Sequence, residues 1–268
     1  MNRPILLMLT AALLAGCTDT STPDNTGGNG NTGGTDTVPT LPAGTLPTVG
    51  AAPETGPGPS KVRVSPTADD LAVMAYTNEF RTKGTVRGID PTKTGLSVED
   101  MAATKKCLTD TNWKPNVLNA LNFNGVAHAA ATSHALYLQT HGYHADGNPH
   151  SESSQRSNFT GVTAVDRFAA ANKRYAAGET STFVGENVLV GYYDDDSLNN
   201  DAPSRFHDNA LYAVLGWIGS YGHCVNMLDA AYTDMGASYL NPTPVVDDPY
   251  NPSITPWKMI GAQIFVKR

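Results

Sequence analysis

Residues 18–60 constrain this chain more than any other feature. The tract holds eleven Thr, nine Gly and seven Pro in 43 positions and has no Lys or Arg. Its apolar residues are isolated, as at Val38, Leu41 and Leu46, so it cannot bury enough surface to offset its ordering entropy. A disordered, partly extended linker is expected over residues 18–65. Folding is thereby confined to residues 66–268, and one pattern of elements over that stretch suits one domain. The recurring Thr-Gly-Gly is low complexity rather than a structural repeat.

Residues 1–17 read as a secretory address. Arg3 and the amino terminus are positive, Ile5–Leu14 is a ten-residue apolar run, and Ala15, Gly16 and Cys17 follow. The run is too short to span a bilayer and suits a signal peptide. Leu14-Ala15-Gly16-Cys17 resembles the bacterial lipobox. That resemblance implies cleavage before Cys17 and a lipid on its thiol, which anchors the protein to a membrane. An ordinary signal cut near Cys17 is the alternative. Thr18, not Asp, follows Cys17, so the Asp-based signal for inner-membrane retention is missing. The expected location is extracytoplasmic, at the outer membrane or cell surface.

Beyond residue 17 no apolar run reaches the ~18 residues of a membrane-spanning helix. The formal charge is −7, and no basic stripe is present, which argues against a nucleic-acid partner.

The folded part alternates between helical and extended patterns. Ser65 and Pro66 suit a helix start, and Gly84 a stop. A short helix is expected over Val98 to Lys106. Asn124-Gly125 opens another, in which Ala127, Ala131, His134 and Leu138 share a face. Thr163 and Asp166 resemble a capping box, with the helix stopping at Gly178. Thr182 to Val190 reads as a strand, Pro203 to Ile218 as a helix, and Met235–Leu240 and Trp257–Val266 as strands. Interspersed helices and strands give an α+β expectation.

Four segments carry the chemistry. In Gly185-Glu186-Asn187, the strand period puts Glu186 on one face with Val184, Val188 and Val190. A carboxylate there is costly unless paired; an edge strand with Glu186 in water is the bland alternative. The other segments are Trp217 to His223, just past a helix end, His150-Ser151-Glu152 in a loop, and Asn78 to Arg81. His134 reads as a satisfied core residue, and His141 as a favourable helix-end residue. His144 is the substitute if the register of the His150 loop is wrong. His128 and His207 fit no pattern. Asp194-Asp195-Asp196 reads as solvated surface, with a weak Ca²⁺ contact as the minority reading.

In this order the segments resemble the CAP superfamily (cysteine-rich secretory, antigen 5 and pathogenesis-related proteins; SCP domains), and its bacterial extracellular branch in particular. The matching residues are Asn78-Glu79-Phe80-Arg81, then Leu121 to Asn124 with Ala130, Ala131 and His134. His150 with Glu152, Phe159-Thr160-Gly161 and Asp166-Arg167 follow. Gly185-Glu186-Asn187-Val188, Trp217-x-x-Ser220-x-x-His223 with Asn226 and Leu228, and Asp234-Met235-Gly236 complete the pattern. The resemblance covers residues 66–268. It implies a three-layer α-β-α sandwich and a cleft built on His150, Glu186 and His223. Ser220 stands where many eukaryotic members carry a second acid, and Cys224 where bacterial members usually carry Arg. The departure at Ser220 weakens any transfer of activity from members that carry both acids.

Two imidazoles and a carboxylate form a candidate site for Zn²⁺ or another divalent cation, with an open position. Glu186 would serve as third ligand or as orienter. Ser220, His223 and Glu186 also suggest a hydrolase triad, with His150 as a further catalytic candidate. No Gly-x-Ser-x-Gly elbow or His-Glu-x-x-His helix supports one, and Ser220 reads better as a helix-end hydrogen-bonding residue. A binding module for a metal, a small ligand or a cell-envelope component is therefore favoured. An extracytoplasmic hydrolase and a purely structural envelope domain are the alternatives. With Cys17 lipidated, Cys107 and Cys224 are left to pair in an oxidising compartment, worth on the order of 2–4 kcal/mol. Two buried free thiols are the alternative.

Overall fold

The computed structural model describes residues 65–142, 146–175, 177–179, 184–193, 209–244 and 257–267. The signal segment, Cys17, residues 18–64, His144, His207 and the Asp194–Asp196 run lie outside these residues.

Among the described residues the chain forms an α+β fold. Helix α1 spans Ala68–Lys83, α2 Val98–Asp110, α3 Gly125–His141 and α4 Ala164–Arg174. Helix α5 spans Asn209–Gly219 and α6 Tyr221–Leu228. Strand β1 is Asn122–Phe123, β2 Val184–Tyr193, β3 Asp234–Pro244 and β4 Trp257–Val266. The strand order is β1-β3-β4-β2. β1 runs parallel to β3, and β4 is antiparallel to both β3 and β2.

Local chemistry explains the boundaries. Helix α1 starts later than Ser65, because Thr67 and Asp70 form a reciprocal capping box; two satisfied donors outweigh Pro66 as a start signal. It stops at Gly84, whose φ of 74° suits a residue without Cβ. Helix α2 extends to Asp110, four residues past expectation. Asn124 caps α3 through the Ala127 amide. The Thr163–Asp166 box caps α4, which ends at Arg174, ahead of Gly178. Strand β2 extends to Tyr193, three residues past the expected end. Past α5 the chain turns at once into α6, so His223 lies in a helix where a post-helical segment was expected.

Strand periodicity sorts the core into two apolar clusters. Met235, Ala237, Tyr239, Met259 and Phe265 join residues of α1, α5 and α6. Val188, Ile260, Ala262, Ile264 and Val266 join residues of α3 and α4. Alternate side chains of β4 thus enter different clusters, as the pleat requires. Helix α3 is buried nearly all round, including Ala127, Ala129, Ala130, Ala131 and Ala135. Its small side chains allow close approach to the sheet. At Gly236 a Cβ would lie 1.9 Å from the His128 amide nitrogen, so only glycine fits there.

Cys107 on α2 and Cys224 on α6 form a disulfide, with Cα atoms 6.2 Å apart. It ties the residue after His223 to a helix 117 positions earlier in the chain.

Candidate functional site

Glu186 stands at the centre of a buried polar cluster on an otherwise apolar strand face. Its neighbours Val184, Val188 and Val190 pack into the α3/α4 cluster. The glycine before it is required by contact, since a Cβ at Gly185 would meet the Tyr232 hydroxyl at 2.2 Å. The expected pairing of the carboxylate is met by Arg167 of α4, whose Nη2 donates to Glu186 Oε1 at 2.5 Å. His150 Nδ1 lies 3.0 Å from Glu186 Oε2. An ionised carboxylate only accepts, so Nδ1 is the donor to Glu186. Burial pushes the Glu186 carboxyl up, but the charges of Arg167 and His134 and the His150 bond outweigh it and bring it down to about 2.

The second imidazole comes from α6. The ring centroids of His150 and His223 are 6.4 Å apart, edge-on at 60°. His223 is buried, whereas 32% of the His150 side chain remains exposed. Burial, reinforced by the charge of His150 and opposed only in part by Glu186, brings His223 down to about 4. At neutral pH Glu186 is therefore ionised and His223 neutral, the state an imidazole needs for ligation.

The structure thus brings His150, Glu186 and His223 together, with unequal roles. Both Glu186 oxygens are engaged by protein donors, which leaves the carboxylate as an orienter of His150. Among the described residues no group of three or more His, Cys, Asp or Glu side chains is placed to hold a metal ion. The donor set on offer is two imidazoles. Ser220 occupies the N-cap position of α6, but its side chain makes no capping bond. The helix-end hydrogen-bonding role expected of it is absent.

Two partners, Arg167 and Glu152, had no assigned role in the sequence. Arg167, quoted there only as part of an Asp-Arg pair, is fully buried and also donates to the Gly161, Val162 and His150 carbonyls. Glu152 pairs with His134, whereas His150 pairs with Glu186. Glu152 is buried, accepts from the Thr160 amide at 2.6 Å, and lies 2.9 Å from His134 Nδ1. His134 Nε2 is 2.8 Å from the Pro149 carbonyl, so both ring nitrogens are engaged, as expected of a satisfied core residue. The only signal for these roles was an excess of polar types on apolar faces. His141 ends α3 and contacts the Ser157 carbonyl at 2.8 Å. His128 is buried, its Nδ1 at 2.6 Å from the Ala237 carbonyl.

No protein-family model matches this sequence, and no curated protein matches it. A solved structure similar in part is that of an extracellular protein containing a SCP domain from Bacillus anthracis str. Ames. It is 18% identical, with a TM-score of 0.33, and the match covers 62% of this chain and 38% of that one. No helix among the described residues is long and apolar enough to cross a membrane.

Proposed function

We propose that residues 66–268 form a CAP-like domain, a three-layer α-β-α sandwich held outside the cytoplasm by a lipid on Cys17 and the Thr/Gly/Pro linker. In this reading the domain is a binding module. Its two imidazoles, His150 and His223, take a divalent transition ion such as Zn²⁺, or a small ligand or cell-envelope component that accepts the same donors. The observation that carries the reading is the 3.0 Å contact of His150 Nδ1 with an ionised Glu186. A carboxylate on one ring nitrogen fixes the tautomer and raises the basicity of the other, as around many metal-bound histidines. The neutrality of His223 supports it in the same sense. A bound ion would supply a Lewis-acidic centre, and two protein ligands leave positions on it for water or a ligand.

Thermal unfolding with Zn²⁺ at pH 7.5 tests this. At about 100 times the dissociation constant, Zn²⁺ stabilises the folded chain by roughly 2.7 kcal/mol. His150→Ala and His223→Ala each remove that gain, and Ser220→Ala leaves it. No Zn²⁺-dependent rise in the wild type rejects the metal site in favour of a structural polar cluster. The anchor is tested separately, because Cys17→Ser releases the protein from membranes.

One observation favours a second reading, an extracytoplasmic hydrolase. The Ser220 side chain makes no capping bond and stands three residues before His223. A peptidase or esterase activity that disappears in Ser220→Ala would establish that reading in place of the binding module.

A further inference from the structure

Behind the two imidazoles, two asparagines tie the backbones of β2 and α6 together in a crossed pattern. Among the described residues β2 ends the strand order, so part of its backbone has no described strand beside it and takes its bonds from side chains. Asn226 supplies one such bond. Its Nδ2 donates to the Glu186 carbonyl at 3.1 Å and to Asn187 Oδ1 at 2.9 Å. Asn187 returns the contact, with Nδ2 donating to the His223 carbonyl at 3.1 Å and to Gln263 Oε1 at 2.9 Å. The residue after Glu186 therefore grips His223, and the residue three after His223 grips Glu186. Each amide has two hydrogens, and all four are directed at acceptors. Asn187 is fully buried. Gln263 extends the chain outward to α1, donating to Thr77 Oγ1 at 2.7 Å.

We propose that Asn187 and Asn226 are positioning residues of the two-imidazole site, setting the spacing of the Glu186 and His223 backbones before any ligand arrives. A ligand joining rings on an unlinked strand and helix would have to order them on binding, at a cost in affinity. Here the crossed amides hold that order in the free protein. The Cys107–Cys224 disulfide fixes the same helix from its other neighbour, α2. The proposal rests on the metal-binding reading above for its consequence, and on the hydrogen-bond geometry for its substance.

The test compares Asn226→Ser with Thr77→Val in the full chain. Thr77→Val breaks the outer contact of Gln263 and leaves the crossed pair intact. Zn²⁺ titration is expected to show at least a ~10-fold loss of affinity in Asn226→Ser, the range seen when groups supporting metal ligands are removed. Thr77→Val lowers the melting temperature with affinity within about twofold of wild type. A metal-free readout accompanies this. The ring signals of His150 and His223 in NMR spectra are single in wild type and Thr77→Val, and doubled or exchange-broadened in Asn226→Ser. Asn226→Gln keeps both donors but displaces them by a methylene, and serves if Asn226→Ser does not fold. Unchanged ring signals and affinity in a folded Asn226 variant would overturn the proposal and leave the pair as edge-strand packing. If wild type binds no Zn²⁺, the binding reading fails, and the ring signals alone still decide whether the pair positions the site.

Discussion

Acidification should destabilise the domain through His223, by an amount the structure sets. The imidazole is buried and titrates at about 4, against 6.5 for an ordinary histidine. Its folded pKa is depressed, so between these values the unfolded chain binds a proton that the folded chain refuses. Stability therefore rises with pH across this window, is fully present above about 6.5, and is lost as pH falls toward 4. The gap between 6.5 and about 4, at 1.36 kcal/mol for each tenfold change in proton affinity, corresponds to about 3 kcal/mol. For a domain of this size that amounts to roughly 6–12 °C in melting temperature. The assay is urea or thermal unfolding of the chelator-treated protein from pH 7.5 to 4, in wild type and in His223→Gln. Gln keeps a polar side chain of similar reach and does not titrate. The difference between the two stability curves should grow by about 3 kcal/mol from pH 4 to pH 6.5 and then level off. A difference that stays flat across that range would refute the argument that burial excludes the proton from this ring.

Three further outcomes follow from other contacts. Glu186→Gln removes the charge facing Arg167 and leaves a buried guanidinium with its nearest ion-pair partner gone, so denaturant unfolding should show a loss of about 3–5 kcal/mol. Reduction of Cys107–Cys224 should cost about 4–5 kcal/mol on the chain-entropy account, above the 2–4 kcal/mol expected from the sequence because the bond closes 117 positions of chain; the readout is a lower urea midpoint with a phosphine reductant. Gly236→Ala places a methyl within 2 Å of rigid α3 backbone, so a loss of at least about 3 kcal/mol, or failure to fold, is expected in thermal unfolding; a neutral effect would mean that α3 can lift from the sheet.

The elements that followed local rules were legible in the sequence. Asn124, Gly84 and the Thr163–Asp166 box mark real ends because capping bonds are made within a few residues of the chain. The errors arose where a tertiary contact or a competing local bond decided. Thr67 displaced Ser65 because Asp70 could return its bond. Strand β1 is two residues long and exists only because β3 lies beside it. Helix α6 starts two residues after α5 ends, and Gly219 and Gly222 at that junction suit an irregular segment as readily as a second helix.

The site was legible as a list of residues but not as a set of roles. His150, Glu186 and His223 were chosen together, and they lie together. Spacing alone assigned Glu186 the choice of ligand or orienter; the choice depends on which groups reach its two oxygens. One of those groups, Arg167, lies 19 positions away on a helix packed over the same strand. Its charge allows a carboxylate to remain ionised among three valines, and the ionised carboxylate in turn holds the His150 tautomer. The motif Asp-Arg gave no hint of this, because Asp166 serves the exposed helix cap while Arg167 is buried in the core. The same division separates His150 from Glu152. They stand two positions apart in a three-residue motif, yet one reaches Glu186 and the other turns to His134 and Thr160. A motif written in one dimension joins residues that serve different buried partners, and it is the partners, contributed by α3, α4 and β2, that decide what each carboxylate does.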